Sequence, residues 1–165
     1  MPALVPLQAE YAPAVLAFEL ANRAYFAASI SDRGDDYFAE FTPRYDALLA
    51  DQAAGLCACY LLVAEDRSVL GRFNLDRFSG GTADLGYRVA QSATGRGLAT
   101  RTVRDLCLLA ASRHGLHTLR AATSHQNVAS QHVLINAGFV PTGPAGPADL
   151  GGKHGTWYRR DLLDG

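Results

Sequence analysis

The chain has 165 residues, 48% of them apolar and 19% charged, which suits one domain with a sizeable core. No apolar run approaches the ~20 residues that a membrane span needs, and the N-terminus lacks the basic-then-apolar pattern of a secretory leader, so no membrane partner and a cytoplasmic location are expected. A net charge of -1 argues against a nucleic-acid binder that works through a broad basic surface.

Residues 8–29 read as a helix. Glu10 and Pro13 suit its start, and Val15, Leu16, Phe18, Leu20 and Tyr25 give it a broad apolar side. Asp32, Arg33 and Gly34 break it. Residues 35–53 read as a second helix with an aromatic stripe of Tyr37, Phe38, Phe41 and Tyr45, and Pro43 is where it would split. This part of the chain is acidic: Asp32, Asp35, Asp36, Glu40, Asp46 and Asp51 face only Arg33 and Arg44. After Gly55, Leu56 to Ala64 is a continuous apolar run suited to a strand buried on both faces, with Cys57 and Cys59 sharing one of them.

A turn at Glu65 to Ser68 leads into a strand from Val69 to Phe78, antiparallel because the link is short. A third strand, Ala83 to Gln91, places Leu85, Tyr87 and Val89 on one face and Asp84, Gly86 and Arg88 on the other. The helix after Gly97 runs to about Arg113 and buries Ala99, Val103, Leu106, Cys107 and Ala110. Thr118 to Thr123 is a short strand, and a parallel crossover is expected because a strand and a helix precede it. Asn127 to Ala137 is a short helix stopped by Gly138. Phe139 and Val140 start another strand, Pro141 to Gly152 reads as a loop, and Gly155 to Leu162 is the last strand. With no repeat and no linker, residues 1–165 form one α/β domain on a mixed sheet. Three cysteines at these spacings suggest neither a disulfide framework nor a zinc site. The five histidines are scattered, so no metal is expected.

Two short patterns carry chemistry. Gly95-Arg96-Gly97 lies between a strand and a helix, where glycines let backbone N–H groups turn inward around an anion. The helix start adds unpaired N–H donors and a positive dipole end, so a pyrophosphate is a natural guest; Arg96 and Arg101 would add charge. There is no Gly-x-x-x-x-Gly-Lys-Ser/Thr loop, and Thr100 stands where a dinucleotide fingerprint has its third glycine. Asn127 opens a helix directly after a strand end. It serves either as an N-cap or as an amide reaching a ligand between the strand ends, with Ser130 one turn on.

Strand, glycine turn, helix and strand, followed by Asn127-x-x-Ser130 and Gly138-Phe139, resemble the GNAT superfamily of acetyl-CoA-dependent N-acetyltransferases. Asp84-Leu85-Gly86-Tyr87 leading into the turn looks most like the branch that includes the ribosomal-protein N-terminal acetyltransferases. The resemblance implies a GNAT-like fold, a mixed and mostly antiparallel sheet with helices on both faces. It implies acetyl-CoA as co-substrate, with the pyrophosphate on the backbone of Gly95, Arg96, Gly97, Leu98, Ala99 and Thr100. The pantetheine arm would lie along Tyr87, Arg88 and Val89, with Asn127 on the same arm. Two positions depart from the usual pattern: Thr94 replaces a Gln or Arg at the start of the turn, and Leu134 occupies the slot where many members carry a tyrosine acid. Ser130 is then the candidate proton donor to the departing thiolate. Asp84 is the first candidate base, with Glu40 and Asp36 as alternatives.

The resemblance also implies that residues 22–45 cover the acceptor, most readily a protein or peptide N-terminal amine. A homodimer is plausible on the same ground. A small-molecule amine acetyltransferase acting on a polyamine, amino acid or antibiotic, and a non-catalytic coenzyme A sensor, stay open.

Overall fold

The computed structural model describes residues 1–162; the remaining residues of the expected 1–165 domain lie outside the described part. Seven strands form one sheet in the order β1-β2-β3-β4-β5-β7-β6. They are β1 Ala3–Pro6, β2 Ala58–Val63, β3 Val69–Ser79, β4 Thr82–Val89, β5 Thr118–Ser124, β6 Val140–Ala145 and β7 Gly155–Asp161. Every neighbouring pair is antiparallel except β4 and β5, which are joined by the expected crossover helix. The helices are α1 Ala12–Ala21, α2 Arg23–Ala27, α3 Asp35–Ala39, α4 Phe41–Ala53, α5 Leu98–Ser112 and α6 Val128–Asn136.

The alternation of β2 shows how the two faces are covered. Ala58, Tyr60 and Leu62 join a core with Phe73, Leu85, Val103, Leu106 and Leu134, which places α5 and α6 on that face. Cys59, Leu61 and Val63 point the other way and pack with Val15, Phe18, Phe26, Phe41 and Tyr45 from α1, α2 and α4. Phe73 is fully buried, worth roughly 2–3 kcal/mol of apolar transfer.

Four expectations change. The four-residue β1, which pairs with β2, was not foreseen; it is too short to show a period. The first helix breaks at Asn22 into α1 and α2. The second breaks at Glu40, not at Pro43, because Pro43 sits in the first turn of α4, where a missing N–H costs nothing. The Pro141–Gly152 loop begins as strand β6, which carries Pro141 and Pro144. β6 is an edge strand paired with β7 only, and its register shifts between Pro141 and Gly143, so both prolines are tolerated.

Candidate active site

Strands β4 and β5 pair only from Thr82 opposite Thr118 to Asp84 opposite Arg120. Beyond that point β4 stays with β3 as far as Val89, and β5 stays with β7 as far as Ser124. The two parallel strands therefore part. The facing edges, Leu85–Val89 and Ala121–Ser124, lack a strand partner, and an unpaired edge is a template for an extended ligand arm.

Two cavities occupy the gap. One of about 310 Å³ is lined by Tyr87, Arg88 and Val89, by the glycine turn and by Tyr25 and Phe26. One of about 170 Å³ lies between Leu85–Tyr87 and Ala121–Ser124, closed by Leu150 and Lys153. Ile30, Tyr87, Asn127 and Ser130 line both, so the cavities meet at these residues.

The turn is anchored before it reaches the cleft. The buried Asn22 donates from Nδ2 to the Phe18 carbonyl (2.9 Å), and its Oδ1 accepts from the Gln91 N–H (3.0 Å). Thr94 donates from Oγ1 to the Gln91 carbonyl at 2.7 Å, so this departure from the usual pattern ties the turn to itself. Gly95 and Gly97 have φ of 77° and 72°, the left-handed region that other residues enter at a cost. Gly97 precedes α5 without a side-chain cap, so the first-turn amides of Leu98, Ala99 and Thr100 stay available. That arrangement fits a pyrophosphate. Arg96 lies apart: its guanidinium donates to the Ser92 carbonyl at 3.1 Å, and it lines neither cavity.

At the junction the Tyr87 hydroxyl lies 2.8 Å from Ser130 Oγ, and Asn127 caps α6 by accepting the Ser130 N–H at 3.2 Å. Tyr87 stacks on Phe73 at 5.6 Å, and burial pushes its hydroxyl up to about 12, so it stays protonated. Sequence reasoning used Tyr87 only for its backbone. No local pattern announces a contact made 43 residues away.

The expected bases are placed elsewhere. Asp84 accepts from Arg120 Nε (3.0 Å) and Nη2 (3.3 Å) in the paired part of the sheet and lines neither cavity. Glu40 is paired with Arg44 at 2.9 Å, Asp36 sits in the first turn of α3, and neither reaches the cleft. From residues 22–45, Tyr25, Phe26, Ser29 and Ile30 line it, while Phe41 and Tyr45 are core. Asp32 and Asp35 are both taken by Arg23 at 2.8 Å.

The profile of the acetyltransferase (GNAT) domain matches residues 3–140. The chain belongs to the GNAT acetyltransferase family. It is 28% identical over 149 residues to a probable N-acetyltransferase, YjcK, of Bacillus subtilis, covering 85% of this chain and 81% of that one. Among solved structures it resembles the ribosomal-protein-S5-alanine acetyltransferase of Vibrio fischeri, with a TM-score of 0.89, 19% identity and coverage of 98% and 93%. It also resembles the spermidine N-acetyltransferase of Vibrio cholerae solved with coenzyme A and spermine, with a TM-score of 0.77, 16% identity and coverage of 96% and 92%.

Within this GNAT frame, Leu134 is a core residue, only 1% exposed, that borders the smaller cavity with an apolar side chain, so the usual tyrosine slot supplies no proton donor. One cluster escaped sequence reasoning altogether. Glu19, 1% exposed on the buried side of α1, accepts from Arg72 Nη1 at 2.7 Å and Arg33 Nε at 3.0 Å, with Arg88 Nη1 at 3.6 Å. The only sequence signal is an acid four residues after Val15 on the face that Val15 and Phe18 bury. Among the described residues, no group of three or more His, Cys, Asp or Glu side chains is placed to hold a metal ion, and no helix is long and apolar enough to cross a membrane.

Proposed function

We propose that this enzyme binds acetyl-CoA in the β4–β5 gap and moves the acetyl group to a primary amine, foremost the N-terminal amine of a protein or peptide, by direct attack in a ternary complex. The parting of β4 from β5 beyond Asp84, directly beside the uncapped start of α5, carries this reading. The backbone of Gly95–Thr100 would hold the pyrophosphate and the free edge of Tyr87–Val89 the pantetheine arm, with Asn127 alongside. The likeness to the alanine acetyltransferase supports the peptide acceptor.

In the reaction the amine nitrogen bonds to the thioester carbonyl carbon, and the carbon–sulfur bond breaks. The products are an N-acetyl amine and the thiol of coenzyme A. Ser130, hydrogen-bonded to Tyr87, would give the departing sulfur its proton and recover one from solvent. No carboxylate lines either cavity, so the proton of the amine leaves through water.

The test is coenzyme A release from acetyl-CoA, read by a method blind to the protein's own three thiols. Peptides with free Ala, Ser or Thr N-termini are compared with polyamines, amino acids and aminoglycosides. Release with the peptides alone is the expected result. Release with polyamines alone overturns the peptide acceptor, and binding of acetyl-CoA with no release on the whole panel points to a sensor.

A further inference from the structure

The charges that line the cleft are all of one sign. Across both cavities the side chains with a permanent charge are Arg88 and Lys153, and among the described residues no aspartate or glutamate joins them. Arg88 sits on the face of β4 that α1 and α2 cover, opposite Arg72 on β3 and 5.1 Å above the Phe26 ring. That is the face opposite α5, whose first turn is suited to the pyrophosphate.

Arg88 is also short of a counter-ion. Its nearest carboxylate, Glu19, is shared with Arg72 and Arg33, both closer, so three guanidiniums divide one negative charge. Burial, followed by the charge of Arg33, holds the Arg88 guanidinium down at about 10. Its side chain keeps 18% of its surface open, and it faces the larger cavity. A half-buried cation with a surplus of like charge behind it and an open face in front favours an anion there.

Building on the acetyl-transfer reading above, we infer that Arg88 selects the acceptor: the amine acetylated here carries a carboxylate within a few bonds of its nitrogen. The carboxylate has two possible sources, the side chain of an acidic residue directly after a peptide N-terminus or the α-carboxylate of a free amino acid. Polyamines, which would bring more positive charge to a cleft whose permanently charged side chains are both cations, are excluded from good substrates by the same residues.

The experiment uses the full chain and matched acceptors. The peptide arm compares amidated peptides beginning Ala-Glu, Ala-Gln and Ala-Lys. The amino-acid arm compares alanine with alaninamide, and spermidine is the cationic control. In at least one arm, kcat/KM for the carboxylate acceptor exceeds that for its neutral match by about tenfold or more, the range of a charge-assisted hydrogen bond. R88M brings that ratio close to one, and R88K keeps part of it. The wild-type ratio needs no variant and so does not depend on how R88M folds.

Equal rates for the acid and its amide in both arms, spermidine as the best acceptor, or an unchanged ratio in R88M overturns the inference. A loss of acetyl-CoA affinity in R88M with the ratio unchanged also overturns it, because Arg88 would then serve the phosphates of coenzyme A. Calorimetric titration of the same acceptors into protein saturated with coenzyme A separates this inference from the transferase reading. Carboxylate-dependent binding that R88M abolishes, without coenzyme A release, leaves Arg88 as the selector and overturns acetyl transfer. Neither binding nor release overturns both.

Discussion

The hydroxyl of Tyr87 on β4 meets Oγ of Ser130 on α6 at 2.8 Å, across the point where β4 and β5 separate. Neither strand pairing nor core packing needs this contact; it fixes one hydroxyl where two cavities join. In the proposed mechanism, removing Ser130 Oγ takes away the proton source, whereas removing the Tyr87 hydroxyl only frees Ser130 to rotate. We expect S130A to lower kcat by about 10²–10³, within the range of general acid catalysis, and Y87F by about tenfold. Both should leave acetyl-CoA affinity within a factor of about two, since the cofactor contacts expected here are backbone ones. Single-turnover kinetics with the acceptor found by the panel measures each. An S130A rate equal to wild type removes Ser130 from the chemistry.

The same pair has a pH signature. The Tyr87 hydroxyl ionises at about 12, against an ordinary value of 10, because burial disfavours the phenolate. Between those values the unfolded chain releases the proton and the folded chain keeps it, so stability is present below pH 10 and falls as pH rises toward 12. Y87F should flatten that alkaline limb in a urea midpoint series taken from pH 9 upward. A limb of the same slope in Y87F would assign it to another group.

For Gly97 the argument is conformational. A Cβ there would meet nothing within 4 Å, so the cost of G97A comes from the φ of +72°, not from crowding. We expect a loss of about 1 kcal/mol, a fall in Tm of about 2–4 °C for a chain of this size. The larger effect should be on the ligand: acetyl-CoA, which stabilises the folded state by mass action, should raise the Tm of G97A less than that of wild type. Scanning calorimetry with and without acetyl-CoA reads both shifts. An equal ligand shift in the two proteins would take the turn out of the pyrophosphate site.

Asp84 gives the opposite expectation. Its carboxylate already pairs with a half-exposed Arg120, so D84N should cost no more than about 1 kcal/mol of stability. Turnover should stay within about threefold of wild type, far from the 10² or more that loss of a working base produces. A D84N rate a hundredfold down would restore it as the base through a path of waters.

Much of the fold was legible because its signals are periodic or local. The continuous apolar run of β2 announced a strand buried on both faces, and the glycines at 95 and 97 announced the turn that leads into α5. Prolines misled twice for one reason: Pro43 and Pro141 both occupy places, a first helical turn and an edge strand, where the missing N–H has no partner to lose. The junction of the two cavities was legible only in part. Ser130 follows an N-cap asparagine at a recognisable spacing, but its contact with Tyr87 arises from where α6 sits against β4, and the pairing of Asp84 with Arg120 from sheet register, neither of which residue types reveal. The Glu19 cluster was hidden because a single acid in an apolar helix face looks the same whether three arginines or water await it.

That cluster gives the sharpest stability test. Burial alone would raise the Glu19 carboxyl, but Arg33 and Arg72 override it and hold it below the ordinary carboxylate value. A carboxyl depressed in the folded state adds stability that is complete above its unfolded pKa and lost as pH falls through the folded one, so Glu19 steepens the acid limb of the stability profile. E19Q leaves the buried guanidinium of Arg72, whose side chain is 6% exposed, facing a neutral amide. Breaking a buried ion pair from one side costs about 3–5 kcal/mol. We expect E19Q to lose that order of stability at pH 7, and progressively less at lower pH, where the wild-type carboxyl is protonated too. Urea unfolding of both proteins from pH 7 down to pH 3 measures the convergence. Parallel curves over the whole range would mean that Glu19 contributes through packing and not through charge.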